Sequence, residues 1–107
     1  MSNLKHWLSL ALLPDIVVIL GRRLLSIFKS HENILRASYN DLIRIEGIGE
    51  NRARGIVEFD RSRVDKEIKT AKEKGISIFS IEDEAYPVSV KQFSDAPFVL
   101  YVKGEMQ

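Results

Sequence analysis

Hydrophobic positions in this chain follow two different rhythms. From Leu4 to Lys74 they recur every three or four residues, the spacing of one face of a helix. After Gly75 they gather in short β-branched and aromatic runs, too short for helices and suited to strands. Leu4, Trp7, Leu8, Ala11 and Leu12 predict a first helix over Leu4–Leu13, stopped at Pro14. Leu20, Leu24, Leu25, Ile27 and Phe28 form the stripe of a second, Val18–Lys29. Ser30 is the expected cap of a short third helix over His31–Ser38. Asn40 is the expected cap of a fourth, Asp41–Ile45, with Asp41 in the first turn where the helix dipole favours an acid. Glu50–Phe59 and Ser62–Lys74 follow, the latter with Val64, Ile68 and Ala71 on one face and Gly75 as its stop. Trp7, Leu8, Leu12, Leu24, Phe28, Leu42, Ile45, Ile48, Ile56, Val57 and Ile68 are the expected core of this bundle.

The second rhythm predicts strands at Ile76–Ile81 and Phe98–Val102. A loop at Glu82–Pro87 and one helical turn in Val88–Phe93 lie between them. Two strands alone make a marginal sheet, so these should pair with each other, pair across a dimer, or fray. The switch after Gly75 divides the chain into a helical domain, residues 1–75, and the opening of a larger α/β domain, residues 76–107.

Composition narrows the classes. The 107 residues suffice for one small domain with an ordinary core, burying roughly 65% of the unfolded surface. There is no cysteine, which excludes disulfides and thiolate metal sites and fits a reducing, cytoplasmic setting. No apolar run approaches the ~18 residues of a membrane span. Trp7 and His6 fit a signal peptide poorly, and no small-x-small cleavage motif precedes Pro14. The net charge of +1 rules out a strongly basic tail, but the charge is uneven. Residues 1–75 hold 14 Lys/Arg against 10 Asp/Glu, whereas residues 76–107 hold 2 against 5. A polyanion should therefore meet the first part.

The most specific motif is "RIEGIGENRARGI", Arg44–Ile56. Its full form is apolar-x-x-apolar-x-Gly-Ile-Gly-x-x-x-Ala-x-x-Ile, the pattern of a helix-hairpin-helix. Gly47 and Gly49 supply positive φ, which costs other residues roughly 1–2 kcal/mol, and Ile48 plugs the gap between the two helices. The N–H groups of Gly49, Glu50, Asn51 and Arg52 then face outward at the positive end of a helix dipole, an anion site. Arg52 and Arg54 add charge. The candidate DNA-contacting residues are therefore Gly47, Ile48, Gly49, Asn51, Arg52 and Arg54, reading phosphate rather than base sequence. The alternative is a compact αα-turn serving as a protein-interaction module. Glu50 favours that alternative, because its carboxylate competes for the same donors.

An internal repeat accompanies the motif. At an offset of 32, "LPDIVVILGRRLLSIF" lies over the hairpin region, with Ile16 on Ile48, Leu24 on Ile56, Leu25 on Val57 and Arg22 on Arg54. Asp15 and Val17 stand where the glycines would be, and a β-branched valine at positive φ is strongly disfavoured. The first turn should thus keep its packing without a phosphate role.

Several residues together resemble the N-terminal part of the DNA-processing protein A family (DprA/Smf). They are the "LLPDI" and "IEGIGENRARGI" segments, with Gly75, Ile76, Asp83, Tyr86, Pro87, Asp95, Pro97, Leu100, Tyr101 and Gly104 of the tail; Val90 stands where the family has leucine. The resemblance implies a SAM-like or helix-hairpin-helix domain followed by a truncated Rossmann-like domain. It implies a binding protein without catalytic residues, metal or cofactor. For the whole protein it implies single-stranded DNA binding, mainly through the absent core, loading of a RecA-type recombinase in natural transformation, and a homodimer. For this part it implies accessory DNA contact, dimerisation or docking. A stand-alone, sequence-independent DNA-binding hairpin is the alternative.

Other chemistry is thin. His6 and His31 have no second ligand at helical spacing apart from Glu32. The cluster Glu82–Glu84 reads as a solvated loop rather than an acid–base pair. Tyr86 and Tyr101 read as structural aromatics rather than base-stacking platforms. The Lys and Arg residues of Ser62–Lys74 interleave with acids, as on an exposed ion-paired face.

Overall fold

The computed structural model describes residues 4–104. It is mainly helical with one small antiparallel sheet. Six helices come first: α1 (Leu4–Leu12), α2 (Val18–Phe28), α3 (His31–Arg36), α4 (Tyr39–Ile43), α5 (Gly49–Val57) and α6 (Ser62–Glu73). Strand β1 (Ile76–Ser80), a single turn of helix α7 (Val88–Lys91) and strand β2 (Val99–Lys103) complete it. The strands take the first of the three fates open to them. They pair with each other, Ile76 opposite Lys103 and Ser80 opposite Val99, and Ile81 N–H extends the ladder to the Phe98 carbonyl at 2.9 Å.

Caps fix the short helices. Ser30 Oγ accepts from Asn33 N–H and starts α3. At α4 the sequence expectation is corrected. Ser38, not Asn40, is the cap, its Oγ accepting from Asp41 N–H at 3.1 Å, so the helix begins at Tyr39. Both residue types cap well; Ser38 has the extended backbone the position needs, with ψ 159°, and Asn40 already lies inside the helix.

The main core holds Leu10, Leu13, Leu20, Leu24, Ile34, Leu42, Ile48, Ala53 and Ile56, with Trp7, Phe28 and Ile45 packed around it half-buried. Leu8 anchors a second cluster with Val64, flanked by the partly buried Leu12 and Ile68. Val57 is a correction: it is 47% exposed. Ile56, about 100° away around the helix, takes the core-facing position, and Val57 is carried outward. Phe98 joins the helical core from just before β2, stacking at a tilt on Trp7 with ring centroids 5.3 Å apart. The sheet also packs against α1 and α6. The helix-to-strand switch after Gly75 is thus bridged by packing.

Candidate nucleic-acid interface

The Gly-Ile-Gly turn joins α4 to α5. Ile45 N–H donates to Leu42 C=O at 3.1 Å and Ile48 N–H to Ile45 C=O at 3.2 Å, winding the chain tightly between the helices. Gly47 and Gly49 have φ of 95° and 68°, the left-handed region where a side chain is strained. Ile48 between them is fully buried, wedged with Ala53 and Ile56 in the main core. No side chain caps α5. Among the described residues, the amides of Gly49, Glu50 and Asn51 therefore have no protein acceptor, and all three residues are exposed. A Cβ built at Gly49 would meet nothing within 4 Å. The start of α5 is thus an open surface of donors at the positive end of a nine-residue helix.

The six sequence-chosen residues divide into four roles. Gly47, Gly49 and Asn51 form the exposed turn and helix start. Arg54 is exposed and, like Arg44 before the turn, makes no ion pair or side-chain hydrogen bond among the described residues. Ile48 lies in the core and acts by packing, not by contact. Arg52 is occupied: its Nε donates to Asp15 C=O at 2.8 Å, and its Nη1 makes a longer contact of 3.4 Å to Gly47 C=O.

That contact leads to the first turn. Leu13 N–H donates to Leu10 C=O at 3.3 Å and Ile16 N–H to Leu13 C=O at 3.5 Å. These are the hydrogen bonds of the second turn displaced by 32 residues. Asp15, the counterpart of Gly47, adopts φ 59°, while Val17, the counterpart of Gly49, keeps an ordinary φ of −71°. The valine thus avoids the disfavoured region, and the short polar aspartate accepts it.

The two turns also dock on each other's helices reciprocally. Arg52 meets Asp15, and a Cβ at Gly55 would lie 2.8 Å from Pro14 Cγ. Shifted by 32, the same positions are Leu20 against Gly47 and Arg23 against Glu46. There, a Cβ at Gly47 would lie 3.4 Å from Leu20 Cδ1, and Arg23 Nη1 donates to Glu46 C=O at 2.9 Å. The repeat is therefore an approximate two-fold. Pro14, Leu20, Arg23 and Gly55 build its interface; sequence marked Pro14 only as a helix stop and Leu20 only as part of an apolar stripe. The offset was the one signal that could have found them.

The other candidates are structural. Tyr86 is buried and its hydroxyl donates to Pro97 C=O at 2.7 Å; burial pushes its pKa up, with Arg22 opposing. Tyr101 donates to Glu67 at 3.0 Å; burial first, then the Glu67 carboxylate, pushes its phenol up to about 12. Asp83 accepts from Ser80 N–H at 2.7 Å and so shapes the turn after β1. His6 and His31, distant in sequence, stack with centroids 5.3 Å apart, and Trp7 packs edge-on to His31 at 4.9 Å. Among the described residues no group of three His, Asp or Glu could hold a metal ion. No described helix is long and apolar enough to cross a membrane.

No protein-family profile matches the chain, and no solved structure matches it. Over 58 residues, 53% of this chain, it is 41% identical to DNA ligase 2 of Clostridium acetobutylicum, 9% of which is covered. Over 73 residues, 67% of this chain, it is 30% identical to a DNA ligase of Petrotoga mobilis, 11% of which is covered. The chain spans about a tenth of the length of these curated relatives.

Proposed function

We propose that this chain is a DNA-contacting module. Its helix-hairpin-helix, built from α4, the Arg44–Ile48 turn and α5, binds backbone phosphate without reading base sequence. The observation that carries this is the uncapped start of α5. Exposed amides of Gly49, Glu50 and Asn51 stand over a positive-φ glycine with open space where a Cβ would be. Arg44 before the turn and Arg54 in the last turn of α5 are exposed and make no ion pair among the described residues. The partial similarity to two proteins named DNA ligases supports a DNA partner.

The wider setting we propose is the N-terminal part of a DprA-like DNA-processing protein, with residues 76–104 opening a Rossmann-like domain. Single-stranded DNA binding, recombinase loading and dimerisation would belong to that whole protein. Support comes from the tail, where the residues of the resemblance interlock. Tyr86 bonds to Pro97, and Gly104 N–H donates to Gly75 C=O at 3.1 Å, closing the open ends of β1 and β2.

A second reading, protein docking, is favoured by the exposed Val17 and Ile19 beside the first turn. Backbone amide NMR separates the two. Adding an oligonucleotide at low salt should shift the Gly49, Glu50 and Asn51 amides and leave Val17 and Ile19 in place. Shifts confined to Val17 and Ile19, or none at ~100 μM, would contradict phosphate contact, which at physiological salt should be no tighter than roughly 10⁻⁵ M.

A further inference from the structure

We infer that Arg52 is a positioning residue rather than a phosphate contact, and that the first turn survives as the strut against which it holds the second. This rests on the phosphate-contact reading only for its DNA arm. The repeat has lost the features that would make its first copy an anion site. Val17 replaces the second glycine, and Asp15 puts a carboxylate at the tip. Yet most of the backbone path is retained: Asp15 has positive φ and both hydrogen bonds within the turn recur, the departure being the ordinary φ of Val17. What retains it is visible in the contacts. The Arg52 guanidinium spans the two turns, with Asp15 C=O at 2.8 Å and Gly47 C=O at 3.4 Å, the same position in each copy. Pro14 presses on Gly55 one turn further along α5. Arg23 completes the reciprocal contact at Glu46 C=O. A planar fork fixes two carbonyls at once, and a lysine cannot copy that geometry. With Nε and Nη1 on main-chain oxygens of the two turns, Arg52 sets where the α5 amides point.

The test uses the whole chain and compares Arg52→Ala and Arg52→Lys with Arg54→Ala. Two readouts are taken: the salt dependence of oligonucleotide binding, and amide hydrogen exchange at Ile16 and Ile48. A phosphate contact contributes about one to the log–log salt slope. Arg54→Ala should lower the slope by about one and leave exchange unchanged. Arg52→Ala should weaken binding about tenfold at unchanged slope and speed exchange at Ile16 and Ile48 about tenfold, with Leu24 and Ile56 unaffected. Arg52→Lys, which keeps the charge, should behave like Arg52→Ala, and it carries the test should the alanine variant fail to fold. A slope lowered by about one in Arg52→Ala, rescued by lysine, with turn amides unmoved, would overturn the inference. If no variant or parent binds DNA, the phosphate reading falls alone, and the exchange rates still decide whether Arg52 is the strut.

Discussion

Single residues show both what the sequence discloses and what it hides. Gly47, Gly49 and the plug Ile48 were legible because their roles follow from local chemistry: positive φ needs glycine, and an isoleucine between two glycines needs a core. Arg52 was not legible. Its partner Asp15 is 37 residues away, and only the approximate two-fold brings them together. Gly21 was hidden for the same reason. In a helix it looks like a weak position, yet a Cβ there would lie 2.7 Å and 3.0 Å from the ring of Phe98. That ring is buried and packs on Trp7, so an added methyl must displace it. Gly21→Ala should therefore destabilise the fold by about 1–3 kcal/mol, despite a helix-propensity gain of about 1 kcal/mol. In a Phe98→Leu background the same change should cost less. Chemical denaturation of the four proteins in that cycle measures the coupling, and additive effects would show that the glycine is not there for the ring.

At the scale of elements, the helical stripe and the β-branched runs placed six helices and two strands to within a few residues. What periodicity could not fix was the junction of α1 and α3. His6 and His31 face each other there, with Trp7 against the second ring. Burial holds His31 below its usual pKa and the adjacent His6 adds to this, while the Glu82 carboxylate pulls the other way. Folding thus disfavours the imidazolium. The unfolded chain binds more protons below about pH 6.5, so stability is full above that value. It is lost as pH falls from there toward the depressed folded value. The melting temperature should drop from pH 7 to pH 5, and less steeply in His6→Ala, which removes one cause of the shift. A parent and variant with the same pH profile would contradict the account. Glu32 is held below its usual carboxylate range by Arg61 and then Arg36, which favours its ionised form in those ion pairs.

Over the whole molecule, charge and packing divide the chain differently. Charge divides it near Gly75, with the excess of Lys and Arg on the helical side. Packing does not, because Phe98 reaches into the main core and α1 touches both strands. The change in periodicity after Gly75 was legible, since it is written in consecutive residues. The bridging was not, since nothing in the local sequence of Phe98 distinguishes a strand-end aromatic from a core one. The proposed DNA contact also belongs to the whole molecule, since it would bring a polyanion to the basic helical part through one hairpin. Among the described residues Arg44 and Arg54 are the hairpin's cations with no ion pair or side-chain hydrogen bond, so about two phosphates should be neutralised and the log–log salt slope should be about −2. Fluorescence anisotropy across a salt series, with labelled single- and double-stranded oligonucleotides, measures it for the parent and Arg54→Ala. Binding in the parent with a slope near −2, falling to about −1 in the variant, is the predicted result. Parent and variant binding alike with the same slope, or no binding at ~100 μM chain in low salt, would contradict it.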